Sequence, residues 1–165
     1  MLETNHSVRK PVIAVIGASS CDEEIAKLAF ETGCLIAKSG AVLINGGGKG
    51  VMESSARGAK EMGGVTVGII PGENTNSANP YMDIVIATGM GQARNAVIVG
   101  SADGLLAVGG SYGTLSEVAF ALKEGKPIAG LVSWNRTLTE VPSFDNPQEA
   151  VDFILEKIKQ NKSCR

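Results

Sequence analysis

Val12-Ile13-Ala14-Val15-Ile16-Gly17-Ala18-Ser19-Ser20-Cys21-Asp22-Glu23-Glu24 sets five unbroken apolar residues against a turn of small residues and then a stretch that opens a helix. A strand that alternates apolar and polar residues has one wet face. A strand without alternation is covered on both faces, as in a parallel sheet held between two layers of helices. Outward from this stretch the same unit recurs, with apolar runs at residues 41–44, 65–70, 83–87, 104–108 and 128–132, all expected as strands buried on both faces. Between the strands, Ile25, Leu28, Ala29, Leu35 and Ile36 share one face of a helix at a period of 3.6, and Val151, Ile154, Leu155 and Ile158 do so near the C-terminus. This order predicts an α/β fold of the doubly wound, Rossmann-like kind. It has a parallel sheet of about six to seven strands, helices on both faces, right-handed crossovers, and ligands outside the carboxyl ends of the strands.

The 165 residues suit one domain, expected over residues 11–160 between short tails at 1–10 and 161–165. With 44% hydrophobic and 19% charged residues and a net charge of -2, the chain has no field that would gather polyanions, so nucleic acid is not an expected partner. No signal peptide and no bilayer-length apolar segment is read in the sequence, which makes a cytoplasmic protein without a membrane partner the expectation. Cys21, Cys34 and Cys164 are odd in number, without CxxC spacing or neighbouring histidines, so neither disulfides nor a metal site is expected. The single histidine, His6, falls in the N-terminal tail, which argues against a histidine-based triad. Sequons at Asn5, Asn135 and Asn161 are taken as chance matches. The polar connection at 71–82, with Asn74, Asn76, Ser77, Asn79 and Pro80, reads equally as an ordinary surface loop or a flexible rim. Residues 134–147, with Pro142 and Pro147, read as an irregular lead into the last helix.

Three strand ends open into turns of small residues ahead of a helix: Gly17-Ala18-Ser19-Ser20, Gly46-Gly47-Gly48-Lys49-Gly50, and Gly109-Gly110-Ser111-Tyr112-Gly113-Thr114. Unpaired N–H groups and the helix dipole make such a turn a seat for phosphate. The first turn lacks GxGxxG, and the second strand ends at Asn45 where a dinucleotide enzyme places an acid, so NAD is not expected. GGGKG runs into Gly50 and Val51 and supplies no Ser or Thr for magnesium, so it is not a P-loop. Thr114 and Glu117 have capping-box spacing, in which the carboxylate only serves a backbone donor; the same position also lets it face a sugar ring at the ligand edge. Arg94 lies in the first turn of a helix beginning near Gly91, where a cation opposes the dipole; it is either a solvated surface arginine or one with a task.

GGGKGVMESSARGAKEMGG (46–64) and GMGQARNAVIVGSADGLLAVGGSYGTLSEVAFALKEGKPI (89–128) resemble the Lonely Guy superfamily, often mislabelled as lysine decarboxylases, and the similarity runs over about residues 11–132. No pyridoxal-binding motif supports the decarboxylase label. Members of the main branch are cytokinin riboside 5'-monophosphate phosphoribohydrolases, with strings similar to GGGxxGLM and PGGxGTxxE. The resemblance implies catalytic roles for Arg94 and Glu117. It implies ligand binding by Gly17, Ser19, Gly46, Gly47, Gly48, Gly50, Met52, Gly109, Gly110, Ser111, Tyr112, Gly113 and Thr114. Three departures are visible: one residue follows GGG before the next glycine, Val108 replaces proline, and Asn95 replaces the lysine of an Arg-Lys pair. These are more similar to a side branch that includes molybdenum cofactor carrier proteins.

The expectation is therefore a nucleotide 5'-monophosphate phosphoribohydrolase that needs no cofactor. The alternative is a non-catalytic carrier for the molybdenum cofactor or another phosphorylated, nucleotide-like ligand, and a nucleotide sensor is a third reading. Either way the partner is a small nucleotide or pterin phosphate. The resemblance also implies a homodimer or homotetramer, with the site near an interface formed by the helices bearing Arg94 and Glu117. Ala93, Ala96, Gly100, Ala119 and Ala121 would permit close packing there, or could equally face the chain's own sheet.

Overall fold

A computed structural model describes residues 9–132 and 138–163; His6, Asn5, Asn135 and Cys164 lie outside them. Seven strands form one sheet: β1 (Val12–Gly17), β2 (Val42–Asn45), β3 (Thr66–Ile70), β4 (Ile84–Ala87), β5 (Gly104–Val108), β6 (Ile128–Leu131) and β7 (Ser143–Phe144). Their order is β4-β3-β2-β1-β5-β6-β7 and every pairing is parallel. The fold is thus the α/β, Rossmann-like one expected. Among the described residues five α-helices intervene or follow: α1 (Glu23–Lys38), α2 (Val51–Glu61), α3 (Asn95–Ser101), α4 (Tyr112–Lys123) and α5 (Pro147–Ser163). The winding reverses between β1 and β5, so a crevice opens beyond their carboxyl ends, where the first and third glycine turns lie.

The runs of β1, β2, β5 and β6 divide their side chains between two cores. Ile13, Val15, Leu43, Leu106 and Leu131 pack under α1, α2 and α5 with Ile36, Val51, Val151 and Ile154. Ala14, Ile16, Ile44, Ile69 and Leu105 pack under α3 and α4 with Ile98, Val99 and Val118. Burying a side chain of this size contributes roughly 1.5–3 kcal/mol, so the two clusters dominate stability. Where α1 crosses α2, Gly33 and Gly58 bring backbones together: a Cβ would stand 1.9 Å from Ser55 O at Gly33 and 2.0 Å from Phe30 O at Gly58.

Three expectations need correction. β4 is not covered on both faces, since Ile84 is 51% and Ile86 47% exposed; it is an edge strand, and α3 and α4 pack over β1 and β5 instead. The lead into α5 is not wholly irregular, because Ser143 and Phe144 pair with Gly130 and Leu131 as a seventh strand. Helix α5 continues to Ser163, past the boundary expected at 160. The 71–82 connection is pinned to the second glycine turn: Asn79 donates from its backbone to Gly47 O and from its amide to Gly48 O, each at 2.8 Å. Those bonds fit a fixed surface loop better than a mobile rim.

Candidate functional site

At the reversal of strand order lies a cavity of about 510 Å³. Of the residues expected at the site, Gly17, Ser19, Gly46, Met52, Arg94, Ser111, Tyr112, Gly113, Thr114 and Glu117 line it. Gly47, Gly48, Gly50, Gly109 and Gly110 do not, and Gly47, Gly50 and Gly109 have conformational or packing roles. Gly47, Gly50 and Gly109 hold φ values of 70°, 62° and 58°, which favour glycine. At Gly50 a Cβ would stand 2.5 Å from Ala18 O, so this glycine lets the second turn press against the first. At Gly48 it would stand 2.7 Å from Met52 Cε.

The three turns are not equivalent anion seats. The N-terminus of α1 is taken: Asp22 accepts from Ile25 N at 2.9 Å, and Glu23 and Glu24 follow. Carboxylates there already answer the helix dipole. The first turn of α2 holds Glu53, and Val51 N is spent on Ala18 O at 3.1 Å. Of the three helices that follow these turns, only α4 has no acid in its first turn, and its N-terminal residues, Ser111 to Thr114, face the cavity. A phosphate is best received there.

The caps of α4 correct another expectation. The N-cap is Ser111, and Thr114 Oγ1 accepts from Ser111 N at 3.2 Å, so Thr114 is the reciprocal residue of the box. Glu117 lies a turn further along and cannot reach the cap. Counted back from Glu117, Gly110-Ser111-Tyr112-Gly113-Thr114 stands where the family string reads GGxGT, which puts a serine hydroxyl in place of a glycine and places the family's proline at Gly109 and not, as expected, at Val108.

Arg94 ends a 3-10 turn, Gly91–Arg94, that runs into α3, and it is not a solvated surface residue. Its side chain is 10% exposed and that of Glu117 8%, with Arg94 Nη1 3.9 Å from Glu117 Oε1. Arg94 Nη1 donates instead to Asn95 Oδ1, and its buried Nε has no acceptor among the described residues. The guanidinium lies over the second turn, where a Cβ at Gly46 would stand 2.7 Å from Nη2. Burial lowers the Arg94 pKa, and Glu117 partly offsets this. Burial raises Glu117 from an ordinary 4.5 to about 7 against the opposing pull of Arg94. The cavity therefore holds a cation with spare hydrogen-bonding capacity beside a carboxyl group poised to take or give a proton near neutrality.

The sequence reading did not place Gln92, Asn95 and Ser116 at the site, yet all three line the cavity. Ser116 carried a signal, lying inside the same string one residue before Glu117. Asn45 is a hidden support: its Nδ2 donates to Met52 O at 2.8 Å and Ser55 Oγ at 3.3 Å, and its Oδ1 accepts from Gly47 N at 2.8 Å. Among the described residues, no group of three or more His, Cys, Asp or Glu is placed to hold a metal ion, and no helix is long and apolar enough to cross a membrane.

Fold and crevice together define a Rossmann-like α/β protein with a cavity at the topological switch point. The chain belongs to the SLOG cluster4 family, whose model matches residues 10–160. It is 51% identical to an uncharacterized protein of Archaeoglobus fulgidus over 87% of this chain and 93% of that one. It is 32% identical to the cytokinin riboside 5'-monophosphate phosphoribohydrolase of Mycobacterium tuberculosis over 74% of this chain and 71% of that one. Among solved structures, the molybdenum cofactor binding protein of Rippkaea orientalis matches with a TM-score of 0.86 and 39% identity, covering 92% of this chain and 99% of that one. The molybdenum cofactor carrier protein of Chlamydomonas reinhardtii matches with a TM-score of 0.81 and 36% identity, covering 90% and 99%. The resemblance to the Lonely Guy superfamily and its carrier branch is borne out.

Proposed function

We propose that this protein binds a phosphorylated, nucleotide-like small molecule in the switch-point cavity and carries it chemically unchanged, the molybdenum cofactor with its pterin phosphate being the best-supported cargo. The observation that carries the reading is the placement of Arg94: a buried cation whose Nε has no partner among the described residues, over Gly46, beside the one of the three glycine turns whose helix has no acid in its first turn. An arginine without a close carboxylate partner in such a place fits a phosphate dianion. The phosphate sits on Ser111 to Thr114, and the heterocycle extends toward Met52, Gln92 and Tyr112, the last 88% exposed at the rim. The choice of cargo rests on the two binding proteins matched over nearly their full lengths, against a more partial match to the hydrolase.

Glu117 favours a second reading. A buried carboxyl group 3.9 Å from the Arg94 guanidinium could stabilise a ribosyl oxocarbenium centre as the N-glycosidic bond breaks. Water would then add its oxygen to the anomeric carbon and its proton would go to the departing base. Incubation with nucleoside 5'-monophosphates, followed by chromatography for free base, separates the readings. The carrier reading expects nucleotides recovered intact; base release that disappears in Glu117→Gln would establish the hydrolase.

A cytoplasmic setting and a homo-oligomer belong to the same proposal. Exposed Ile84 and Ile86 continue the sheet face that α3 and α4 cover, and this apolar surface supports a subunit contact near the elements carrying Arg94 and Glu117.

A further inference from the structure

An arginine beside a buried carboxylate ordinarily closes on it with N–O distances of 2.7–2.9 Å. Here it does not, and the residue that intervenes is Asn95. Its Oδ1 takes the Arg94 Nη1 hydrogen, its Nδ2 donates to Ser116 Oγ at 3.0 Å, and Ser116 Oγ donates to Gly113 O at 2.7 Å. The polarity of this chain is fixed by chemistry. A guanidinium only donates, so the amide oxygen must face Arg94 and the amide nitrogen must face the serine. Asn95 is itself buried, so its geometry is not averaged by solvent.

We infer that Asn95 is a positioning residue, which withholds Arg94 from Glu117 and ties it through Ser116 to the Gly113 turn, so that the cation stays available to a ligand phosphate. The inference rests on the phosphate-binding reading and deepens it. A neutral acceptor satisfies Nη1 without cancelling the charge, whereas an aspartate would cancel it. A lysine, the residue the family resemblance places here, has no acceptor and could not hold the guanidinium at all. The chain also couples the two halves of the cavity, because the start of α3 and the N-terminus of α4 meet through it.

The test combines two readouts: the titration midpoint of Glu117, followed by carboxyl carbon NMR, and the affinity for inorganic phosphate, followed by phosphorus NMR. In Asn95→Ala, Nη1 is released toward Glu117, so the midpoint falls toward the ordinary carboxylate range and phosphate binding weakens about tenfold or more. In Asn95→Asp, nearly isosteric, the added charge neutralises Arg94; phosphate binding weakens comparably, but the Glu117 midpoint rises. Opposite shifts from two substitutions at one position are not what a merely structural role produces. An unchanged midpoint in either folded variant overturns the inference. If the unmutated protein bound no phosphate while the two midpoints moved apart, the positioning role would stand and the binding reading would fall. Should Asn95→Ala not fold, Asn95→Ser, also short and uncharged, supplies the second substitution, with the same downward shift of the Glu117 midpoint expected.

Discussion

Arg94 Nη1 and Glu117 Oε1 stand 3.9 Å apart, close enough for each charge to act on the other and too far to share a hydrogen bond, with both side chains about nine-tenths withdrawn from solvent. The pair is thus held open at the bottom of a cavity. Its two members respond differently to titration and mutation.

Glu117 makes stability depend on pH in an unusual direction. Its folded pKa of about 7 lies above the ordinary 4.5, so between these values the folded state holds a proton that the unfolded state has released. Stability is therefore fully present below about pH 4.5 and falls as pH rises through 7, by up to about 3 kcal/mol. Glu117→Gln removes this loss. Thermal melts should show the variant more stable than the parent at pH 8 and the difference shrinking toward pH 4.5; equal melting temperatures at pH 8 would contradict the placement of this carboxyl.

Arg94→Gln keeps a polar side chain but removes the charge over Gly46. Phosphate-bearing ligands should lose about 100-fold in affinity, in line with loss of a charge-assisted contact in a low-dielectric site. Calorimetric titration of the variant checks this. Glu117, deprived of its neighbouring cation, should titrate still higher in the same protein.

The crossing of α1 and α2 tolerates no added carbon at Gly33 or Gly58, where a Cβ would stand 1.9 Å and 2.0 Å from carbonyl oxygens of the facing helix. Backbone cannot yield as a flexible side chain would. Each alanine substitution should destabilise by roughly 2–3 kcal/mol or more in urea unfolding, despite the better helix propensity of alanine.

Asn45 makes three hydrogen bonds from a fully buried position, one of them to the N–H of Gly47. Asn45→Ala orphans these groups and should cost roughly 2 kcal/mol or more. It should also loosen the second turn, so ligand affinity falls along with the urea midpoint.

Much of this architecture was legible in the residues. Unbroken apolar runs revealed six strands because a sheet covered on both sides writes no alternation. They could not reveal that Ile84 and Ile86 lie at an edge, since exposure there depends on where the helices lie. Ser143 and Phe144 form a strand too short to show any period. At the site, Arg94 and Glu117 stood out through position and motif, but the bond between Arg94 and Asn95 is a tertiary fact. Thr114 and Glu117 had the spacing of a cap, yet α4 starts at Tyr112, which makes Ser111 the cap and frees Glu117. Gly50 read as a phosphate glycine, and its closeness to Ala18 became visible only when two distant turns met.

The central claim is that the cavity receives a phosphorylated pterin or nucleotide and releases it unchanged. Anaerobic incubation with molybdenum cofactor, followed by gel filtration and assay of pterin and molybdenum in the protein peak, tests it most directly. The account predicts co-elution of both with the protein, intact recovery of the cofactor on denaturation, and loss of co-elution in Arg94→Gln. Failure of the cofactor to co-elute, with free base released from nucleoside 5'-monophosphates by the same preparation, would contradict it.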